Sequence, residues 1–364
     1  MNRIAIFSPN KNPYSETFIQ AHKHYLKDQV FYFYGSNQHI VLENKPPLLS
    51  KWTYRLCKLW AKLLNKPKHY VRDYMLQKAF KTYKITAVLV EYGTHAHHLL
   101  SFLNGLSIPV VVHFHGYDAS KKDLVEQCGH YTGVFKQAHK VVAVSKVMEN
   151  KLLQMGCPKE KLVYNVYGPR PEFLEVHPKY SSQQFVAVGR FTDKKAPYYS
   201  ILAFHAIAQQ FPQAKLLMAG DGVLKSACQN LVRHLGLQER VFFLGVIDHQ
   251  RYRELLAESL AFVQHSITAA NGDMEGTPVA VLEASAAGLP VIATRHAGIP
   301  DVVLHEKTGL LCNEHDVEGM ANNMARLLNK STEAQQMGQA GKQYVAKHFN
   351  MQRHIEVLEK ALQR

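Results

Sequence analysis

Long apolar runs and paired cysteines are both missing from this chain of 364 residues. A bilayer-spanning helix needs about 20 apolar residues, and no stretch reaches that length. Only a short apolar run separates Met1-Asn2-Arg3 from Ser8, so we expect neither a membrane span nor a signal peptide. The 5 cysteines are odd in number and show no C-x-x-C spacing. This pattern excludes a disulfide framework and predicts reduced core thiols in a cytoplasmic protein.

Acidic residues are scarce in the first half of the chain. Residues 1–170 carry 24 Lys/Arg against 10 Asp/Glu, whereas residues 171–364 carry 19 of each, so the net charge of +14 lies in the first half. Much of it falls in residues 51–84, which also contain both tryptophans. Leu56, Leu59, Trp60 and Leu63 recur there at helical spacing among lysines and arginines, which predicts a basic amphipathic helix.

Three interpretations of this basic segment are open. The helix could pack its apolar face on the amino-terminal core, or form a nucleic-acid patch, or lie at a membrane interface. Leucine and tryptophan on one face with lysine and arginine around them suit an interfacial helix. Our hypothesis is reversible docking of residues 51–84 on an anionic membrane surface, and we expect no nucleic-acid partner.

The length of the chain suits two domains, each able to bury a core. Strand-like apolar runs alternate with helical stretches, which predicts an α/β protein with doubly wound parallel sheets. In such sheets ligands bind beyond the carboxyl ends of the strands. The prolines around residue 169 break regular structure and indicate a linker. We therefore predict domains at residues 1–168 and 169–349, with a final helix at about 350–364 that returns to the first domain.

Two carboxylates, Glu275 and Glu283, stand eight positions apart across a Gly276-Thr277-Pro278 turn and an apolar run. With Pro278 in the first helical turn, Glu275 would precede the helix and Glu283 would lie inside it. The free N–H groups and the dipole of such a helix start attract phosphate. Glu283 repels anions and would suit a neutral diol better. The pair therefore suits a nucleotide that carries both ribose and diphosphate.

The E-x7-E spacing in EGTPVAVLE resembles the signature of retaining glycosyltransferases of the GT-B type, most closely those of family 4. Similar blocks are AAGLPVIATRHAGIPDVV, KTGLL, GRFTDKKAP, MAGDG and FLG in the second half, and NPYSETFI and HG in the first. The resemblance covers nearly the whole chain. It implies an α/β GT-B fold, in which two Rossmann-like domains face each other across a cleft that holds the active site.

The resemblance also implies roles for individual residues. Glu275 would bind a sugar hydroxyl and His115 would face the transferring ring, as the catalytic residues. Donor-binding residues would grip the diphosphate, hold the base through the backbone, or contact the ribose; they are Gly189, Arg190, Lys195, Val246, Gly276, Thr277, Pro278 and Glu283. Ser15 and Glu16 would contact the acceptor or the donor. Asp118 would either orient His115 or cap the next helix, and the sequence leaves both possibilities open.

The expected activity is transfer of a sugar, with retention, from a UDP- or GDP-sugar to a hydroxyl of a glycan or lipid-linked acceptor. The resemblance places this step in cell-surface polysaccharide biosynthesis, at the cytoplasmic face of the membrane. No D-x-D motif occurs, so we expect no metal and no cofactor beyond the donor. Two alternatives are a nucleotide-sugar epimerase of the same fold and a non-catalytic membrane-bound partner of another transferase.

Overall fold

A computed structural model of the chain describes residues 2–11, 16–36 and 39–363, so Ser15 lies outside the described residues. The chain forms two compact units. Unit 1 comprises Met1–Val144, Glu149–Asn165 and Ile355–Arg364, and unit 2 comprises Ser145–Met148 and Val166–His354. Within the described residues, no helix has both the length and the apolar character that crossing a membrane requires.

Unit 1 is built on a seven-stranded sheet in the order β3-β2-β1-β4-β5-β6-β7. Its pairs are parallel except β2–β3. The elements from the first strand to the last are β1 (Arg3–Ser8), α1 (Thr17–Tyr25), β2 (Gln29–Ser36), β3 (His39–Leu42), α2 (Lys51–Leu63), α3 (Tyr70–Tyr83), β4 (Ala87–Glu91), α4 (Gly93–His98), α5 (Leu100–Leu103), β5 (Val110–His113), α6 (Tyr117–Ser120), α7 (Lys122–Gln127), α8 (Thr132–Gln137), β6 (Lys140–Ala143), α9 (Lys146–Gln154) and β7 (Leu162–Tyr164).

Strands β4 and β5 show why this half folds as a parallel sheet. Their sequences, AVLVE and VVVH, are buried at every position, and strands that are covered on both faces read as continuous β-branched and aliphatic runs. The strand order reverses between β1 and β4. Glu91 is the last residue of β4, so a carboxylate lies at the carboxyl edge of the sheet where such folds bind ligands.

Unit 2 is built on a six-stranded sheet of parallel pairs in the order β10-β9-β8-β11-β12-β13. The remaining elements are β8 (Gln184–Val188), α10 (Pro197–Ala208), β9 (Lys215–Ala219), α11 (Lys225–His234), β10 (Val241–Gly245), α12 (His249–Glu258), β11 (Ala261–Gln264), α13 (Val279–Ala287), β12 (Val291–Thr294), α14 (Ile299–Val302), β13 (Gly309–Cys312), α15 (Val317–Asn329), α16 (Ser331–His348) and α17 (Met351–Ala361). The last turns of α17 belong to unit 1, where Glu359 accepts a hydrogen bond from the Lys27 amide at 2.9 Å.

The order of this second sheet reverses between β8 and β11. The segments that follow these two strands, from Gly189 and from His265, therefore begin at the ligand-binding edge. The core beneath includes the fully buried Phe185, Phe204 and Leu216. Both sheets thus confirm the predicted doubly wound α/β organisation.

Candidate functional site

Glycine allows the loops after β8 and β9 to pack closely at the carboxyl edge of the unit 2 sheet. Gly220 has φ +131°, and a Cβ there would lie 2.0 Å from the Gly189 carbonyl oxygen. The Gly189 amide donates to the Ala219 carbonyl at 3.0 Å. A larger residue at position 220 would therefore push the two loops apart. The close contact fixes the start of the loop that carries Arg190 and Lys195.

Lys195 and Glu275 form a buried ion pair. Lys195 Nζ lies 3.1 Å from Glu275 Oε2, and the side chains are 14% and 10% exposed. Burial favours the neutral acid, but Lys195, Lys194 and His296 outweigh it and lower the pKa of Glu275 to about 2. Burial lowers the pKa of Lys195, and the charge of Glu275 opposes that shift. Glu275 Oε1 is buried and has no hydrogen-bond partner among the described residues, so it is placed to accept one from a ligand.

The loop before α13 is held by two neighbouring contacts. Lys194 Nζ lies 2.9 Å from Asp273 Oδ1 and donates to the Met274 carbonyl at 3.1 Å. The Glu275 amide donates to His296 Nε2 at 3.1 Å. These contacts fix the backbone on both sides of residue 274 and therefore the direction of the Glu275 side chain.

His296 is itself fixed by a carboxylate. Its Nδ1 lies 2.6 Å from Glu314 Oε1, and its Nε2 accepts from Glu275. Nδ1 must therefore carry the proton of the neutral ring. Burial lowers the pKa of His296, which favours this neutral form. Glu314 also accepts from the Thr268 amide at 2.8 Å. The carboxylate therefore contacts the start of the loop between β11 and α13 directly, and the Glu275 end of that loop through His296.

Helix α13 begins one residue later than predicted. Pro278, expected in the first turn, is the N-cap residue with ψ 119°. Its carbonyl accepts the amides of Val281 and Leu282. Within the described part of the chain no acceptor receives the amides of Gly276, Val279 or Ala280. The helix start thus offers donors and a positive dipole end, as the sequence indicated.

Gly298 holds this helix start against the neighbouring segment. Its amide donates to the Gly276 carbonyl at 2.9 Å. A Cβ at position 298 would lie 2.0 Å from Thr277 Oγ1. Any side chain there would displace the turn that precedes α13.

The protonation state of the Glu283 carboxyl differs from our expectation. It is buried, its Oε1 has no partner among the described residues, and burial raises its pKa to about 8 despite the nearby Arg170. The carboxyl is therefore mainly protonated at neutral pH and does not repel anions, contrary to the sequence argument. A neutral carboxyl can both donate and accept hydrogen bonds, which still suits a diol.

Two other predicted donor-binding residues, Arg190 and Val246, lie on the segments that follow β8 and β10. Arg190 is exposed and has no side-chain partner among the described residues. Ala196 stands where the family pattern has glycine, and it takes φ 36°, a left-handed conformation that glycine adopts without strain. Val246 follows β10 and is 51% exposed. Thus Arg190 and Val246 present accessible groups, whereas Lys195 and Glu275 are buried.

In unit 1, His115 belongs to a buried cluster around Glu91. Glu91 Oε2 lies 2.8 Å from His115 Nε2, and Glu91 Oε1 lies 2.7 Å from His22 Nδ1. Burial alone would raise the pKa of Glu91, but the two histidines lower it well below its usual range. The ionised carboxylate accepts from both rings. Glu91 thereby sets the orientation of the His115 imidazole.

Of the two roles that the sequence left open, Asp118 acts on His115, through the backbone and not through the ring. It accepts hydrogen bonds from the amides of Gly93, His115 and Gly116. The N-cap residue of α6 is Gly116, and the His115 ring is held by Glu91. Asp118 therefore fixes the loop backbone.

Glu16 lies close to the same cluster. Its Oε1 accepts from Asn10 Nδ2 at 3.0 Å and from the Tyr92 hydroxyl at 2.9 Å. The Tyr92 ring centroid is 4.5 Å from that of His115. Glu16 Oε2 is buried without a partner in the described part of the chain, so it could contact a ligand in unit 1.

One group in unit 1 has ligand atoms close enough to hold a metal ion. The side-chain atoms of Glu91, His113 and His115 lie within 4.8 Å of one another, and all three residues are buried. The Glu91 oxygens already serve His22 and His115 at hydrogen-bond distance. The hydrogen-bonded arrangement therefore accounts for this carboxylate without an ion, and metal independence stays a prediction.

Sequence reasoning missed Glu91, His22, His296 and Glu314. For Glu91 a signal was present, because a charged residue that ends the apolar run AVLV must lie at the carboxyl edge of a buried strand. For the other three no local pattern exists. His22 and His296 meet partners 69 and 18 positions away, and only the folded chain brings them together.

Two doubly wound α/β units, with a cationic and amide-rich edge in the second, have the architecture of the GT-B fold class. Residues 34–165 match the family described as Glycosyltransferase Family 4, and residues 170–344 match Glycosyl transferases group 1. The chain belongs to the group 1, family 4 glycosyltransferases.

One curated relative agrees with this family, and two solved structures agree with the fold. The chain is 30% identical over 269 residues to the amylovoran biosynthesis glycosyltransferase AmsK of Erwinia amylovora. The aligned region covers 73% of this chain and 65% of AmsK, so the chain spans just under two thirds of the length of that relative. The structure resembles that of HepE from Anabaena in complex with UDP, with a TM-score of 0.76, 16% identity and coverage of 100% and 99%. It also resembles sucrose-phosphate synthase of Thermosynechococcus elongatus, with a TM-score of 0.75, 18% identity and coverage of 99% and 98%.

Proposed function

We propose that this protein transfers a sugar, with retention, from a nucleoside diphosphate sugar to a hydroxyl of a glycan or lipid-linked acceptor. The observation that carries this proposal is the unit 2 cluster, which consists of Arg190, Lys195, Glu275 and the start of α13. There a buried lysine and an exposed arginine accompany free helix amides, and a carboxylate beside them keeps one oxygen unpartnered. Each of these groups matches one part of a nucleoside diphosphate sugar.

The cations and amides of the cluster suit the leaving group. Glycosyl transfer builds positive charge on the sugar ring and negative charge on the departing phosphate. Arg190 offers a planar fork for two oxygens, and Lys195 a compact charge. The amides of Val279 and Ala280 add fixed donors. Donors aimed at a developing oxyanion contribute roughly 3 kcal/mol each, so these groups can neutralise the diphosphate in the absence of a divalent cation.

The carboxylates suit the neutral parts of the donor. Glu275 Oε1 can accept from a hydroxyl of the transferring sugar, while Lys195 keeps the carboxylate ionised. Glu283, largely protonated, can both donate to and accept from the ribose diol. His115, held by Glu91, would face the transferring ring. Glu275 is committed to Lys195, and we propose front-face attack assisted by the leaving phosphate in place of a covalent glycosyl-enzyme.

Relatives narrow the substrate class. AmsK is a glycosyltransferase of amylovoran biosynthesis. HepE has been crystallised with UDP and with UDP-glucose. These two proteins support a UDP-sugar as the donor and a biosynthetic role. A GDP-sugar is the alternative donor, and we propose cell-surface polysaccharide biosynthesis as the process.

Donor binding is tested by thermal shift of the full chain with UDP-, GDP- and ADP-sugars, with and without EDTA. A ligand at 100 times its Kd stabilises by about 2.7 kcal/mol, and we expect EDTA to leave the shift unchanged. Arg190→Ala should weaken donor binding roughly tenfold or more, because a charge-assisted contact is lost. The matched control is Arg251→Ala, which removes an exposed arginine paired with Glu254. Loss of the shift in EDTA would contradict the proposal, as would unchanged binding by Arg190→Ala.

Turnover is tested by following the anomeric configuration of the product by NMR. Retention with acceptor present is the expected result. Glu275→Gln should abolish transfer, because the residue contacts the sugar, while the fraction of the variant that stays folded should still bind the nucleotide. Conversion of the donor to an epimer without acceptor would point to the epimerase instead, and a trapped glycosyl-enzyme would rule out front-face attack.

A further inference from the structure

Helix α2 exposes its apolar face. Trp52, Leu56, Leu59, Trp60 and Leu63 share one side of the helix, and their exposed fractions range from 54% to 75%. Leu64, the C-cap residue, continues this face and is 52% exposed. The interpretation in which this face packs on the amino-terminal core is therefore wrong. Six large apolar side chains on one short helix form a patch that monomeric proteins seldom leave uncovered.

A different side of α2 contacts unit 1. Ala61 is buried, and Thr53 and Cys57, which lie two turns and one turn before it, are half-buried. The helix is also capped, because Ser50 Oγ accepts from the Thr53 amide at 3.1 Å. The helix is thus formed and attached without its apolar face taking part, which leaves that face available.

Basic residues line one edge of the apolar face. Lys51, Arg55, Lys58 and Lys62 recur at intervals of three and four and form a single stripe beside it. Lys66 and Lys68 follow immediately after the helix, and no acidic residue occurs from position 44 to position 72. The surface therefore combines an apolar strip with an unopposed positive field.

The charge pattern indicates what covers the apolar face of α2. Two copies of the face packed together would bring two basic stripes close to each other, which like charges oppose. An anionic bilayer offers negative headgroups for the stripe and acyl chains for the leucines and tryptophans. The arrangement of apolar side, basic edge and attached side is that of a helix lying in the membrane plane.

We propose that α2 docks unit 1 on an anionic lipid bilayer, with Trp52, Trp60 and the leucines inserted at the boundary between headgroups and acyl chains and the basic stripe on anionic headgroups. This contact would hold the protein at the membrane surface whether or not a donor sugar is bound. It goes beyond the proposed transfer reaction, and its test needs no turnover.

The two tryptophans make the test direct. Trp52 and Trp60 are the only tryptophans in the sequence, and both lie on the exposed apolar face, so the intrinsic tryptophan emission of the full chain reports on α2. We expect a shift to shorter wavelength and protection from acrylamide on adding vesicles of phosphatidylglycerol and phosphatidylcholine. Pure phosphatidylcholine vesicles should produce little change. Rising salt should reverse the shift, since it screens the headgroup attraction.

Co-sedimentation of variants with the same vesicles separates the electrostatic contribution of the basic stripe from the hydrophobic contribution of the apolar face. Exchange of all four stripe residues for glutamine should reduce partitioning by nearly three orders of magnitude, since each basic residue near such a surface is worth roughly fivefold. Leu56→Ser with Leu63→Ser should reduce it by a similar factor. All six positions are exposed, so both variants should keep the fold, and circular dichroism checks this. A charge-matched control replaces four exposed lysines outside α2 by glutamine: Lys122, Lys136, Lys159 and Lys330.

The outcomes are decisive in both directions. Loss of vesicle binding in the stripe and leucine variants, with retention in the control, supports the proposal. Equal loss in the control would show that only net charge matters and would overturn it. So would unchanged tryptophan emission with anionic vesicles, or a dimer in light scattering that Leu56→Ser with Leu63→Ser dissociates while vesicle binding persists.

Discussion

Replacing Glu275 by glutamine removes one charge from the buried pair with Lys195 and changes the side-chain size very little. Lys195 would then remain as a cation that is only 14% exposed, without the carboxylate 3.1 Å away. Removing one partner of a buried ion pair typically costs about 3 to 5 kcal/mol. Glu275→Gln should therefore destabilise unit 2 strongly, apart from any effect on catalysis.

The pKa of Glu275 gives a second value for the contribution of this carboxylate to the free energy of unfolding. It falls from 4.5 to about 2 in the folded chain, which corresponds to about 3 kcal/mol at neutral pH. Because the folded pKa is depressed, this stability is present above pH 4.5 and is lost as the pH falls towards 2. Burial also lowers the pKa of Lys195, so the pair as a whole contributes less than the shift of Glu275 alone. The double variant Lys195→Met with Glu275→Gln should thus be less destabilised than the sum of the single variants.

A matched pair lies on the same loop. Asp273 and Lys194 are 2.9 Å apart, and their side chains are 25% and 8% exposed. When Asp273 is replaced, Lys194 still donates to the Met274 carbonyl, so Asp273→Asn should cost less than Glu275→Gln, on the order of 1 kcal/mol. Comparison of the two variants shows how much of the cost of Glu275→Gln comes from a cation that is left without a partner.

The measurement must report on unit 2, and both tryptophans lie in unit 1. Hydrogen exchange of the β11 and β12 amides as a function of urea gives the free energy of unfolding of the correct unit. A Glu275→Gln value within about 0.5 kcal/mol of the parent protein would refute the reasoning, as ordinary surface substitutions have effects of that size. Strict additivity in the double variant would refute it too, because coupled pairs are non-additive.

Two further predictions concern buried carboxyls. Since the folded pKa of Glu283 is about 8 and its ordinary value is 4.5, the folded chain binds more protons between these values, and the free energy of unfolding falls as the pH rises through that window. Glu283→Gln should flatten this slope in urea unfolding measured from pH 5 to pH 8; an unchanged slope would contradict the assignment. Glu91→Gln should lower kcat roughly tenfold or more, because the His115 ring loses the ionised acceptor that orients it. Glu43→Gln, which removes a carboxylate paired with Lys23 elsewhere in unit 1, serves as its control, and an unchanged kcat in Glu91→Gln would show that Glu91 does not position His115.

Local patterns determined much of the architecture. Buried strands such as β5 and β12 begin with three consecutive apolar residues because parallel sheets are covered on both faces, and such runs are readable without the fold. The eight-position spacing of Glu275 and Glu283 and the glycine-proline turn between them likewise depend only on neighbouring residues. They predicted a helix start with free amides to within one residue.

The sequence alone also determined the composition of α2, with its basic stripe, leucines and tryptophans, but only the tertiary structure decided which side of that helix is buried. The same holds for Glu91 with His22 and for His296 with Glu314, whose partners are distant in sequence, and for the raised pKa of Glu283. Hydrogen-bond partners, exposure and desolvation depend on which segments meet in three dimensions. A linear pattern specifies the face that each residue shares with its near neighbours, and the packing of remote segments specifies what that face contacts.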